Sequence, residues 1–60
     1  MFTDVIYDTF FVNGEKFTIE DYDTNLFGVY HEDMFIGTCS QPNTKMAMQI
    51  VVTYYAKYHQ

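Results

Sequence analysis

The fold is decided by a short stretch of sequence, FFVNGEKF at residues 10–17. Its centre, Asn13-Gly14, tolerates the positive φ angles of a tight hairpin turn, and the flanking residues are rich in β-favouring Phe, Val, Ile and Thr. The stretch therefore predicts a β-hairpin, with strands over residues 2–12 and 15–22.

Two pairings of this hairpin are compatible with the sequence. A two-residue loop pairs Phe10 with Phe17, whereas a three-residue loop with a bulge at Gly14 pairs Phe11 with Phe17. The three-residue loop gathers more apolar side chains on one face, and we expect it for that reason. A slip by one residue would turn every side chain to the other face.

A second hairpin is predicted over residues 26–39, after turn-forming residues that follow the first hairpin. Its tip is expected at Glu32-Asp33. In this register Gly28 and Gly37 lie opposite each other, which indicates a bend or the close approach of another backbone.

The hydrophobic period changes after residue 43. A polar side chain recurs every fourth residue from Lys45 to Lys57, as on one face of a helix. The opposite, apolar face consists of Ala47, Val51, Tyr54 and Tyr58. We therefore predict an amphipathic helix over residues 44–59. The β-favouring run at residues 50–55 leaves one alternative, an all-β fold that ends in a fifth strand.

These elements predict an α+β fold in a single domain, residues 1–60: a small antiparallel meander of about four strands with a C-terminal helix packed on one face. A helix about 10 Å wide cannot cover four strands spaced by about 4.8 Å. The helix also carries an apolar flank, formed by Met48, Val52 and Tyr55. Both surpluses favour a homodimer, and the alternative is a monomer whose curled strands and twelve aromatic rings cover themselves.

The charge is unevenly distributed along the chain. Residues 1–33 hold all eight acids and one lysine, a net charge of −7, whereas residues 34–60 hold two lysines, a net charge of +2. Three lysines and no arginine cannot form a basic face. Direct binding of nucleic acid is therefore not expected, because phosphates are contacted mostly by Arg and Lys.

A meander places six of the acids on adjacent edges or tips of the sheet. They are Asp8, Glu20, Asp21, Asp23, Glu32 and Asp33. Carboxylates two residues apart on a strand are roughly 6.6 Å apart, a spacing comparable to that of charges along a nucleic-acid backbone. We expect this acidic face to bind a protein partner with a basic surface. The alternative is a solvated surface that only maintains solubility.

Motifs for catalysis or cofactor binding are not found. His31-Glu32-Asp33 lacks a recognised metal-ligand spacing and is expected to be a solvated turn. Cys39 paired with His31 would need an electropositive setting to act as a nucleophile, so a structural thiol is favoured. We expect neither an enzyme nor a bound metal or cofactor.

The location of the protein is suggested by three features of the sequence. Cys39 is a lone cysteine, which fits a reducing compartment. Acids stand near the start of the chain, where a signal peptide carries Lys or Arg, and no apolar run reaches about 18 residues. These features predict a cytoplasmic protein without a membrane segment.

In size, acidity and aromatic content the chain resembles the short single-domain proteins with which bacteriophages neutralise host enzymes. These include anti-CRISPR and anti-restriction proteins and DNA-glycosylase inhibitors. The resemblance covers the overall profile and no motif, so it assigns no residue. It implies an inhibitor that mimics nucleic acid and acts in the host-cell cytoplasm on a nucleic-acid-handling protein. The alternative is a structural or regulatory homo-oligomer, or an assembly subunit, that uses the apolar helix flank and aromatic surface.

Overall fold

The structure, a computed structural model, describes residues 5–58. Its elements are β1 (Ile6–Val12), β2 (Glu15–Asp23), β3 (Leu26–His31), β4 (Met34–Cys39) and α1 (Thr44–Tyr58). The strands form one antiparallel sheet in the order β1-β2-β3-β4, and α1 packs on one face of it. The predicted α+β meander is confirmed, and the fifth strand is wrong. Residues 2–4 of the predicted first strand and residue 59 of the predicted helix lie outside the described residues.

The first hairpin closes with a two-residue loop. Asn13 and Gly14 have φ angles of 55° and 81°, as a type I′ turn requires, and Phe10 pairs with Phe17. The three-residue loop that the count of apolar side chains favoured is therefore wrong. The physical reason is that a type I′ turn matches the twist of its two strands, which outweighs the apolar contacts of the other register.

An irregularity in β1 adjusts the pairing further from the turn. Ile6 lies opposite Glu20 and Asp8 lies opposite Ile19, so Tyr7 is an extra residue in β1. The ring of Tyr7 packs edge-on against Phe27, with ring centroids 5.0 Å apart. The bulge thus places an aromatic ring of the edge strand beside β3.

The second hairpin turns at Glu32-Asp33, as predicted, but its two glycines are not opposite each other. A bulge in β4 makes Val29 face Gly37, and Gly28 therefore faces Thr38. The predicted glycine pair is wrong because a single extra residue shifts all later partners by one position.

At each of these two glycines, the group that approaches closely is a side chain and not another backbone. A Cβ atom on Gly37 would lie 2.8 Å from Cγ2 of Ile50, so the missing side chain lets α1 approach β4 closely. A Cβ atom on Gly28 would lie 2.8 Å from Cε1 of Tyr30, on the opposite face of the sheet.

The core lies between α1 and strands β2, β3 and β4. Its buried apolar residues are Phe17, Ile19, Val29, Cys39, Ala47 and Val51. From β1, Phe10 and Val12 reach this core but stay half-buried. Since full burial of one large apolar side chain stabilises a fold by about 1.5–3 kcal/mol, β2–β4 gain far more from the helix than β1 does.

The helix is fixed to the sheet near both ends. At its start, the Asn43 side chain accepts hydrogen bonds from the backbone N–H groups of Lys45 and Met46, as an N-cap does. The Thr44 hydroxyl donates to Asp8 of β1. In the last turns, Tyr55 donates to Glu15 at the start of β2. These contacts set the direction in which α1 crosses the sheet.

Candidate functional site

The sheet face opposite α1, here called the open face, carries an exposed aromatic cluster. Tyr22 of β2 stacks on Phe35 of β4 with ring centroids 4.9 Å apart and planes 15° apart. Phe35 meets Tyr30 of β3 edge-on at 5.6 Å. The cluster spans three strands because Tyr30 lies over Gly28, where no side chain interferes. Tyr22 is 52% exposed and Phe35 is 43% exposed, so both rings are accessible.

Glu20 lies on the same open face. It is paired with Gly28, and its carboxylate accepts a 2.7 Å hydrogen bond from the hydroxyl of Thr18. Thr18 is only 3% exposed and is the one buried polar residue among the described residues. A fixed, half-buried carboxylate therefore stands beside the aromatic cluster.

Three further acids lie at the two ends of the sheet. Asp23 ends β2 and accepts a 2.7 Å hydrogen bond from the backbone of Thr24. Glu32 and Asp33 form the opposite tip, where the N–H of Glu32 donates to the backbone oxygen of Lys16 at 3.0 Å. The length of β2 separates the two ends by roughly 25 Å.

The remaining two predicted site acids are on the helix side of the sheet. Asp8 accepts a hydrogen bond from the hydroxyl of Thr44. Asp21 is paired with Phe27 and accepts a 2.8 Å hydrogen bond from Tyr7, which raises the pKa of that tyrosine. The structure thus divides the six acids among the open face, the two ends and the helix side, and does not gather them into one patch.

The aromatic cluster is the part of this surface that the sequence interpretation missed. Tyr22 and Phe35 are 13 positions apart in the chain and are separated by a whole strand, so no local pattern links them. One signal was present, because Gly28 inside a strand indicates that another group approaches closely.

On the helix side, a polar and aromatic network joins α1 to the hairpin tips. His31 stacks on Phe17 at 4.7 Å and shares a 2.8 Å hydrogen bond, through Nδ1, with the hydroxyl of Tyr54. Its Nε2 lies 3.6 Å from a carboxylate oxygen of Glu15. Glu15 also accepts a hydrogen bond from the hydroxyl of Tyr55, and this hydrogen bond raises the pKa of Tyr55 to about 12. His31 therefore faces the helix and is not part of a solvated turn.

Cys39 and His31 are not close enough to act together. They stand at opposite ends of the second hairpin, because Cys39 is paired with Phe27 and His31 with Met34. Burial raises the pKa of the Cys39 thiol, which donates a hydrogen bond to the backbone oxygen of Gln41. A raised pKa is the opposite of what a nucleophilic thiol needs. Within residues 5–58, no three His, Cys, Asp or Glu side chains form a group that could hold a metal ion.

The predicted apolar flank of the helix is only partly exposed. Val52 is 61% exposed and Met48 is half-buried. Tyr55 packs edge-on against Phe17, with ring centroids 6.0 Å apart, and so belongs to the contact between helix and sheet. Val52 is therefore the member of the flank that is most available to another chain.

Comparison with protein-family models, with curated proteins and with solved structures finds no match to this chain. Its function is therefore inferred from the surfaces of the chain itself. In the described part of the chain, the helix is too short and too polar to cross a membrane.

Proposed function

We propose that this chain is a small protein-binding module, which docks the open face of its sheet on a basic site of a partner protein and inhibits that partner. The observation that carries the proposal is the exposed cluster of Tyr22, Tyr30 and Phe35, with Glu20 beside it and acids at both ends of the sheet.

The chemistry of the open face suits a partner rich in Arg and Lys. Aromatic rings are enriched in protein interfaces, and cationic side chains stack on them with about 0.5–2 kcal/mol of attraction. Glu20 in the centre and Asp23 and Asp33 at the ends supply carboxylates that pair with the same side chains. The rings contribute affinity and the carboxylates accelerate and orient the encounter.

A nucleic-acid-handling protein is the partner class that the charge favours. Its substrate site is a groove in which Arg and Lys bind phosphates, and a strongly acidic sheet competes for that groove. The resemblance to short phage proteins that neutralise host enzymes supports the same function. Such an inhibitor acts in the cytoplasm, where the thiol of Cys39 stays reduced.

The first experiment is affinity capture from the lysate of the source cell, with the wild-type chain and a Tyr22→Ala variant as baits, followed by mass spectrometry. The expected result is a nucleic-acid-handling protein that is captured by the wild type, released by rising salt and lost with Tyr22→Ala. A retained thermal melting curve for the variant shows that the loss is not unfolding.

The second experiment separates the position of charge from its amount. A variant with Asp23→Asn and Asp33→Asn and a control with Gln41→Lys and Ala56→Lys both change the net charge by two, but the control residues lie in the loop before α1 and within α1. We expect the captured partner to bind the first variant at least threefold more weakly than the control. Equal binding, or binding insensitive to salt, contradicts docking through the open face.

A homo-oligomer is the second candidate function, and the exposure of Val52 favours it. Light scattering during size-exclusion chromatography at micromolar concentration measures the mass directly. A mass of twice 7.1 kDa that returns to 7.1 kDa with Val52→Lys supports this candidate, whereas a wild-type mass of 7.1 kDa excludes it.

A further inference from the structure

A groove of about 700 Å³, here called the β4 groove, runs along the outer edge of the sheet. One wall is β4 itself. The other wall is a stripe of α1 that consists of Met46, Gln49, Ile50, Thr53, Tyr54 and Lys57. These residues recur at the three- and four-residue spacing of one helix face, so the groove follows the strand from one end to the other.

The strand in this groove is an edge strand. In the sheet order β1-β2-β3-β4, the described part of the chain gives β4 one neighbour, β3. Every second residue of an antiparallel edge strand directs its N–H and C=O groups away from the sheet, where they can pair with another strand. The groove therefore combines a row of backbone hydrogen-bonding groups with an adjacent, partly apolar helix face.

The sequence of β4 does little to prevent such pairing. Its residues, MFIGTC, include no charge and no proline, the two features that most often protect an edge. The described strand has one feature that protects an edge from pairing, the bulge at Ile36. By contrast, the other edge, β1, carries Asp8.

We propose that the β4 groove binds an extended segment of a partner protein, which adds to β4 as a fifth strand and carries an acidic side chain near Lys57. Strand addition of this kind gives affinity through the backbone and specificity through alternate side chains. Apolar side chains on one side of the segment lie against Ile50 and Tyr54, while the backbone pairs with β4.

The position of Lys57 defines the chemistry of the segment. Among the described residues that line the groove, Lys57 is the charged one, and it stands at the end where β4 begins. The groove residues also belong to residues 34–60, which carry a net charge of +2, whereas residues 1–33 carry −7. Glu32 and Asp33 lie in the turn just before β4, so the group that attracts an acidic side chain at this end is Lys57, on the α1 wall of the groove.

A second copy of this chain fits the groove less well. A β4 strand offered by another copy contains no carboxylate, and the carboxylate of the other edge strand, Asp8 of β1, is already bound to Thr44. The proposal does not rest on docking through the open face, because the α1 wall of the groove lies on the other side of the sheet; Phe35 is the residue that borders both surfaces. The two proposals are tested through different residues, Tyr22 for the open face and Lys57 for the groove, so either can fail alone.

The test uses the whole chain and a synthetic heptapeptide of alternating threonine and valine that ends in glutamate, with both termini blocked (TVTVTVE). A matched control peptide ends in glutamine. Titrations are followed by the backbone amide signals of the ¹⁵N-labelled protein. We expect shifts along β4 and the groove side of α1, and binding of the glutamate peptide that is about 2- to 5-fold tighter than that of the control, as an exposed ion pair supplies.

Variants of the two lysines of the helix locate the charge effect. Lys57→Gln removes the preference for glutamate, whereas Lys45→Gln, at an exposed position outside the groove, leaves it unchanged. N-methylation of alternate peptide nitrogens abolishes the shifts if the peptide pairs as a strand. The proposal is overturned if millimolar peptide leaves the β4 signals unchanged, if the shifts fall on Tyr22 and Tyr30 of the open face and spare α1, or if Lys57→Gln preserves the preference. A concentration-dependent dimer that buries β4 would also overturn it.

Discussion

The first hairpin, β1 with β2, turns at Asn13 and Gly14, whereas the second hairpin, β3 with β4, turns at Glu32 and Asp33. The first turn has the residues that a type I′ turn requires, yet β1 has no buried residue within its described length. The second turn has Glu32 at a φ of 57°, without a glycine, yet β4 lies under α1. Local turn chemistry therefore specifies the pairing of β1 with β2, and packing against the helix stabilises β2, β3 and β4.

This division has an energetic reason. A left-handed conformation costs an ordinary residue such as Glu32 about 1–2 kcal/mol. Contacts between α1 and the sheet can offset such a cost, because several of their side chains are fully buried. The first turn and the core under the helix are thus separate sources of stability, and substitutions can separate the two contributions.

The largest effect is expected from the core under the helix. Phe17→Ala removes a fully buried ring that packs on Phe10, His31 and Tyr55, and it should lower the free energy of unfolding by about 3–5 kcal/mol. In a domain this small, that loss leaves little folded protein at room temperature. Phe11→Ala, in β1 at 67% exposure, should change stability by no more than about 0.5 kcal/mol. Similar thermal melting curves for the two variants would contradict the comparison.

The second effect concerns the contact of α1 with β4. Gly37→Ala places a methyl group 2.8 Å from Cγ2 of Ile50, a stiff β-branched side chain, and should cost about 1–3 kcal/mol. Gly28→Ala meets the far end of the Tyr30 ring, which can swing away, so it should cost less than about 1 kcal/mol. Urea denaturation measures both, and Ile50→Ala in the Gly37→Ala background should restore part of the loss. A larger cost at Gly28 would show that the open face is the more rigid one.

The two turns should respond in opposite directions. Gly14→Ala forces a Cβ into a φ of 81° and should destabilise the first hairpin by about 1 kcal/mol. Glu32→Gly relieves the second turn and should stabilise the fold by up to about 1 kcal/mol, even though it removes a weak 3.4 Å hydrogen bond with the Lys16 amide. Chemical denaturation of the two variants against the wild type checks the signs. Destabilisation by Glu32→Gly would assign that carboxylate a structural role.

The smallest effect is a pH dependence at the joint between α1 and the first hairpin. The hydrogen bond to Glu15 raises the folded-state pKa of Tyr55 from 10 to about 12, so its stabilising contribution is complete below pH 10 and disappears as the pH rises through 12. Absorbance at 295 nm should show a tyrosine step near pH 12, and Glu15→Gln should move this step to lower pH without affecting Tyr7, whose pKa is raised by Asp21. Tyr55→Phe must remove that step, and a step that persists belongs to another tyrosine.

The element order was predictable because its signals are local. Asn13-Gly14 marks the first turn, and the four-residue repeat from Lys45 to Lys57 marks the helix. Register was harder, since the count of apolar side chains favoured a bulged loop that the twist of the type I′ turn excludes. The bulges at Tyr7 and Ile36 have no sequence signature, and the second of them moved Gly28 away from Gly37.

The candidate site was predictable in its charge and not in its arrangement. The position of each acid along the chain was known, but a strand residue changes face with every single shift of register. Asp8 and Asp21 turned toward the helix side, where Thr44 and Tyr7 bind them. Tyr22 and Phe35 meet only because the intervening β3 strand is paired on both sides, which is a property of the whole sheet.

The strand order also bears on how fast the chain folds. Each strand pairs with its neighbour in sequence across a two-residue turn, so the sheet can form through local encounters. The helix closes by far longer loops, since Thr44 reaches Asp8 across 36 positions and Tyr55 reaches Glu15 across 40. Docking of α1 is therefore the step that needs the largest loss of chain entropy. Changes in the turns should alter the refolding rate, and changes under the helix should mainly accelerate unfolding.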